Sequence, residues 1–211
     1  MVRRMANPEF RQSQLDEIYA PHVAPLNRYV DELGAKPGEA KPPYIAPMYF
    51  GVAGHALGVF RDPGPKAGGE KGSGFICVEN DDATAERMML FCERAALDVR
   101  EVTPWNAYPW YINAKPTTTQ LASGLSPLLH VAELIPELKV IIFFGGSAQH
   151  AGRLLERQRP GVLSRRGIAT LSTYHTSLQA LWTNDPDERD RREKHVLETL
   201  QRAANLLNQY A

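Results

Sequence analysis

Apolar residues fall along this chain in two kinds of run. Ala56 to Phe60 and Val140 to Phe144 are short and unbroken, without polar alternation, so they predict strands covered on both faces. Longer stretches place apolar residues every three or four positions and predict helices. One such stripe, Ala85, Met88, Met89 and Cys92, belongs to a helix from an Asp82 cap to Ala96. Another, Val196, Leu200, Ala203, Ala204 and Leu207, lies on a long helix that opens at Asn184 or Asp185 with Pro186 and Glu188. Further helices are predicted over Ser126 to Ile135 and Ser147 to Arg157, and further strands over Val99 to Thr103 and Ile168 to Thr173. Between Gln14 and Leu33 the spacing of Leu15, Ile18, Tyr19, Leu26, Tyr29 and Val30 is near-helical, but Pro21 and Pro25 divide it into pieces. Gly34 to Pro47 holds four prolines and reads as an extended arm.

Four strands alternating with helices predict an α/β fold, a three-layer α/β/α arrangement around a central four-stranded parallel sheet. Parallel neighbours need crossover connections, and those connections carry the helices that cover the sheet. The 211 residues, 43% of them hydrophobic, suit one domain over residues 1–211, with residues 1–50 as a helical and proline-rich arm packed on it.

Charge narrows the choice of partner. The 24 basic residues offset the 24 acidic ones, so no global field draws the protein to nucleic acid, and a DNA contact needs a local patch. No stretch approaches the ~20 apolar residues of a membrane span, which leads to the expectation of a soluble, cytoplasmic monomer without membrane contact. Cys77 and Cys92 lie 15 positions apart among apolar neighbours, which suits packed thiols and neither a disulfide framework nor a metal site.

Ligands of parallel sheets sit at the carboxyl ends of the strands. That rule singles out Asp62 to Phe75 after the first strand, Trp105-Asn106 after the second, and Tyr174-His175-Thr176-Ser177 after the last. The turn Asp62-Pro63-Gly64-Pro65 fixes a carboxylate beside backbone that a ligand can approach closely. The glycine-rich segment behind it is not a nucleotide P-loop, because Lys71 follows Glu70 and precedes Gly72 instead of standing in Gly-Lys-Ser/Thr. Ser147, in Gly145-Gly146-Ser147-Ala148-Gln149, occupies a strand-to-helix turn and is a candidate hydrolase nucleophile, although the nucleophile elbow has glycine where Gln149 stands. Lys66 and Lys71 are candidates for phosphate contact beside the turn, and Ser177 offers a hydroxyl. The run Arg153, Arg157, Arg159, Arg165 and Arg166 reads as solvated surface. Trp105, Tyr108, Trp110 and Tyr111 surround Asn106 and read as a packing cluster.

Taken in order and spacing, Asp62-Pro63-Gly64, Phe75 in Gly74-Phe75-Ile76, Asn106 and His175-Thr176-Ser177 resemble the motifs of the uracil-DNA glycosylase superfamily. The resemblance covers roughly Leu57 to Leu178. It implies a monofunctional DNA glycosylase that flips uracil out of single- or double-stranded DNA and hydrolyses its N-glycosidic bond, leaving an abasic site and free uracil. It implies that Asp62 stabilises the sugar cation and positions water, while a neutral His175 donates to uracil O2. Asn106 would read the base edge, Phe75 would stack on it if it is not a core aromatic, and Leu178 would act as a wedge in the DNA. No cofactor or metal is implied, and two cysteines are too few for the iron-sulfur cluster that some members carry. Two departures bear on substrate. Gly64 stands where members that exclude thymine place tyrosine, so this motif has no barrier to a 5-methyl group. Thr176 replaces the usual proline and predicts a looser loop around His175 and weaker DNA insertion. A non-catalytic binder of uracil-containing or damaged DNA, and a serine hydrolase using Ser147, are the alternatives.

Overall fold

Residues 3–69, 72–112 and 114–209 are described by a computed structural model of the chain. Helix α1 (Pro8–Asp16) starts at Asn7, whose side chain accepts the Glu9 and Phe10 N–H groups. In α2 (Ala24–Leu33) Pro25 occupies the first turn, where its missing N–H costs nothing, so this proline starts the helix and does not divide it. The proline-rich arm contributes a short strand, β1 (Tyr44–Ile45). There follow β2 (Ala56–Phe60), the single turn α3 (Pro65–Gly68), β3 (Phe75–Ile76) and α4 (Ala83–Arg94), the last capped by Asp82. The second half runs through β4 (Val102–Asn106), α5 (Thr118–Ser123), α6 (Leu125–Leu134), β5 (Val140–Phe144) and α7 (Gly145–Gln158). It closes with β6 (Ala169–Thr173), α8 (Leu178–Leu181) and α9 (Pro186–Asn208), which Asp185 caps.

The main sheet has the order β4-β2-β5-β6 and is parallel throughout, flanked by helices as an α/β/α arrangement. Its register sets Phe60 opposite Asn106 and Phe144 opposite Thr173, which aligns the carboxyl ends of all four strands. Helix α7 packs on β5 and β2, and α9 on β6 and β5. A second, two-stranded parallel sheet joins β1 to β3.

The second main strand begins three residues later than expected. Val99–Glu101 form a 3-10 turn capped by the Asp98 carboxylate, and the strand proper continues through Pro104 to Asn106. Proline is tolerated there because β4 is an edge strand and has a neighbour on one side only. The shift makes Asn106 the last residue of a strand, a stiffer mount than the loop expected for it.

One hydrophobic cluster runs from Met5 to Ala204 and includes Val23, Leu26 and Val30 of the N-terminal region. Asn27 ties this region down: fully buried, it donates to the Ile18 and Ile45 carbonyls and accepts the Ile45 N–H. The aromatic cluster packs as expected. Trp105 has no exposed surface and stacks on Tyr29 at 6.5 Å between ring centroids, while the Lys36 ammonium caps the Trp110 ring at 3.2 Å. Cys77 and Cys92 are free and buried, and burial pushes both thiols up to about 12. Among the described residues no helix is long and apolar enough to cross a membrane.

Candidate active site

The four strand ends open onto one cavity of about 680 Å³. Asp62, Asn106, Ser147 and His175 line it, one from beyond each end of β2, β4, β5 and β6, except that Asn106 is itself the end of β4. Gly145 allows two of these segments to meet. Its φ of 81° is a conformation that favours glycine, and a Cβ there would stand 3.0 Å from the His175 Cβ.

Among the described residues, two oxygens of cavity-lining side chains are buried without a hydrogen-bond partner: Oδ2 of Asp62 and Oδ1 of Asn106. Buried polar groups are nearly always bonded, and leaving one unpaired costs about 1–3 kcal/mol. One belongs to the turn after β2 and the other to the last residue of β4, and both residues line the cavity, so bonding capacity is left unused at neighbouring strand ends. The third unpartnered group, Trp105 Nε1, is not among the cavity residues. The other Asp62 oxygen, Oδ1, accepts from Arg61 Nε. Burial raises the Asp62 pKa above the usual carboxylate range, and the Arg61 charge opposes that rise.

His175 is arranged differently. Its Nδ1 accepts the Ser177 N–H at 3.1 Å, so the proton of the neutral ring sits on Nε2. Burial, and then the Arg61 charge, push the imidazole down to about 4. It is therefore an uncharged donor at neutral pH. The loop around it is anchored to other elements, although the proline that would stiffen it is missing. Thr176 has no exposed surface; its hydroxyl donates to the Thr84 carbonyl at 3.4 Å and its carbonyl accepts from Arg87 Nε at 3.1 Å. Arg87 in turn donates to Glu193 at 2.8 Å, tying the loop to α4 and α9. The hydroxyl contact is particular to threonine, whereas the carbonyl contact is one that proline could also accept.

Phe75, the expected stacking ring, is placed in the core. It has no exposed surface, packs against Tyr44 at 6.3 Å and does not line the cavity. Successive strand side chains face opposite ways, and in β3 it is Ile76 that reaches the cavity. The aromatic wall comes from Phe60 and Phe144 instead, stacked at 4.7 Å and 6°, with the Phe60 ring edge-on to His175 at 5.9 Å. The apolar pattern marks both only as strand residues; the available signal is an aromatic at the last position before the acidic turn. Arg61 is a further cavity residue that the motifs do not point to, although its place before Asp62 makes contact with that carboxylate easy.

Gly64 lines the cavity, and a Cβ added there would meet nothing within 4 Å. Its backbone is extended (φ −74°, ψ 164°), so space, and not conformation, is what this glycine provides. Lys66 lies on the cavity wall with its ammonium 3.5 Å from Asp81. Lys71 lies outside the described residues. Ser177 lines the cavity and caps α8, its hydroxyl accepting the Ala180 N–H, while Leu178 is 58% exposed at the start of that helix. Ser147 lines the cavity too, but the strained residue of its turn is Gly145, and the nearby His175 directs Nδ1 to Ser177. Arg153, Arg157, Arg159, Arg165 and Arg166 are not among the residues of this cavity.

The chain matches no protein-family model and no curated protein.

Proposed function

We propose that the protein is a uracil-DNA glycosylase, acting by hydrolysis on a base flipped into this cavity. The observation that carries the proposal is the convergence of a buried carboxylate, a buried amide and a neutral imidazole on one cavity, with one oxygen of each of the first two left unpartnered. Cleaving the N-glycosidic bond of deoxyuridine builds positive charge on the sugar and negative charge on the departing base. Asp62 stabilises the first and orients the attacking water; the Nε2–H of His175 donates to uracil O2 and stabilises the second. Asn106 pairs its amide with the base edge, Oδ1 accepting from N3–H and the NH₂ donating to O4. Cytosine presents the opposite pattern, and a site that must leave buried polar groups unpaired rejects such a ligand by ~10⁴-fold or more. The flipped base lies against Phe60 and Phe144, and the abasic strand is held near Lys66 and Ser177, with Leu178 in the place of the extruded base.

The test is incubation of the purified protein with an end-labelled uracil-containing oligonucleotide, single- and double-stranded, followed by alkali to cut abasic sites. Cleavage at uracil that Asp62→Ala, Asn106→Ala and His175→Ala weaken is the expected result. Retardation of the oligonucleotide without cleavage would replace the enzyme with a binder of uracil-containing DNA. Neither binding nor cleavage, with Ser147-dependent hydrolysis of an activated ester, would establish the hydrolase instead.

A further inference from the structure

Arg61 directly follows the last residue of β2, and its carbonyl accepts the Tyr108 N–H at 3.0 Å, so its backbone is fixed by the segment that continues β4. The side chain lines the cavity and is 48% exposed, yet its Nε bonds the fully buried carboxylate of Asp62. His175 lines the same cavity, where the positive charge of Arg61 adds to burial in disfavouring a protonated imidazole. The other charged groups around the cavity are engaged elsewhere. Lys66 faces Asp81, Asp82 caps α4, and Arg87 is shared between Glu193 and the Thr176 carbonyl.

We propose that Arg61 is a positioning residue that keeps the two reacting groups in opposite charge states, Asp62 ionised and His175 neutral. The proposal rests on the glycosylase function, which needs both states together: a protonated Asp62 offers no charge to the sugar cation, and a protonated His175 loses the Ser177 N–H from Nδ1 and with it the loop geometry. Burial alone favours the neutral form of both groups, which suits His175 and defeats Asp62. A cation bonded to the carboxylate and lining the same cavity as the imidazole removes a proton from the first and refuses one to the second, so a single side chain corrects Asp62 without disturbing His175.

The experiment is an NMR titration of the His175 imidazole and the Asp62 carboxyl in the wild type, Arg61→Gln, Arg61→Met and Arg61→Lys, beside the pH dependence of excision from a uracil oligonucleotide. In Arg61→Gln and Arg61→Met both midpoints rise, by about one unit, and the acid limb of excision moves up with them. The rate at pH 5 then falls roughly tenfold relative to wild type, while the rate at pH 8 is nearly unchanged. Arg61→Lys keeps the charge and returns both midpoints towards wild type. Unmoved midpoints in folded Arg61→Gln or Arg61→Met overturn the role of Arg61, even if the protein excises uracil. Shifted midpoints in a protein that excises nothing would leave the electrostatic role standing and remove the glycosylase function.

Discussion

The two walls of the cavity are built on opposite plans. On the β2–β4 side, Asp62 and Asn106 each carry a buried oxygen with no hydrogen-bond partner among the described residues. On the β6 side, the polar groups that hold His175 have partners: Ser177 on Nδ1, Thr84 and Arg87 on Thr176, and Glu193 behind Arg87. The first wall leaves bonding capacity unused at a cost to folding, and the second uses its bonding capacity to hold one imidazole. Substitutions should therefore separate activity from stability on the first wall and couple them on the second.

The largest effect is expected at Asp62. Asp62→Ala should lower excision on the order of 10³-fold, while thermal stability holds or rises, because a buried and half-satisfied carboxylate is removed. Asn106→Ala should follow the same pattern with a smaller loss. A fall in melting temperature in both would mean that the unpartnered atoms are satisfied by water and that the first wall resembles the second.

On the other side, His175→Ala should lower excision by roughly 10²-fold, the scale of losing one preorganised donor. Arg87→Met sharpens the contrast, since it leaves the Thr176 carbonyl and Glu193 without their donor. It should cost about 1–3 kcal/mol of stability and slow excision through a displaced His175, although Arg87 touches no substrate. Unchanged stability with slowed excision would contradict the coupling.

pH separates the walls by sign. His175 has a folded-state value of about 4, below the 6.5 of the free imidazole, so the unfolded chain takes up the proton first. Its contribution to stability is present above pH 6.5 and is lost as pH falls towards 4. Asp62, raised by burial, acts oppositely: its contribution is present below the ordinary carboxylate range and is lost as pH rises through its folded value. Unfolding followed by urea between about pH 3 and 8 in wild type, Asp62→Asn and His175→Gln assigns each slope; His175→Gln should flatten the fall between pH 6.5 and 4. The smallest expected effect is one of selectivity. Gly64→Tyr fills open space on the cavity wall, so under the proposed function it should reduce excision of thymine from mismatched DNA more than excision of uracil, and equal losses on both bases would place Gly64 away from the 5-position.

The contrast between the walls also separates what the sequence discloses from what it hides. Strands β2 and β5 are legible because both faces are buried, and a short unbroken apolar run between turn residues suits little besides a covered strand. Asp62, Asn106 and His175 are legible because a parallel sheet brings its strand ends together whatever the intervening helices do. Side-chain direction in short or irregular segments is not. The sequence leaves Phe75 open between core and stacking ring because β3 is two residues long and its facing is set by pairing with β1, in an arm whose visible feature is its prolines. The restraint on Thr176 is hidden for a related reason: Arg87 stands 89 residues from Thr176 and 106 from Glu193. Local chemistry announces the first wall, and distant contacts make the second.

Whether these two walls together break a glycosidic bond is tested most directly by a single-turnover reaction of excess protein with a uracil-containing oligonucleotide, measuring free uracil by mass spectrometry alongside abasic sites. One uracil should be released for each abasic site formed, with Asp62→Ala and His175→Ala slower on the order of 10²-fold or more. No uracil released by the wild type, or release that both variants leave unchanged, would contradict it.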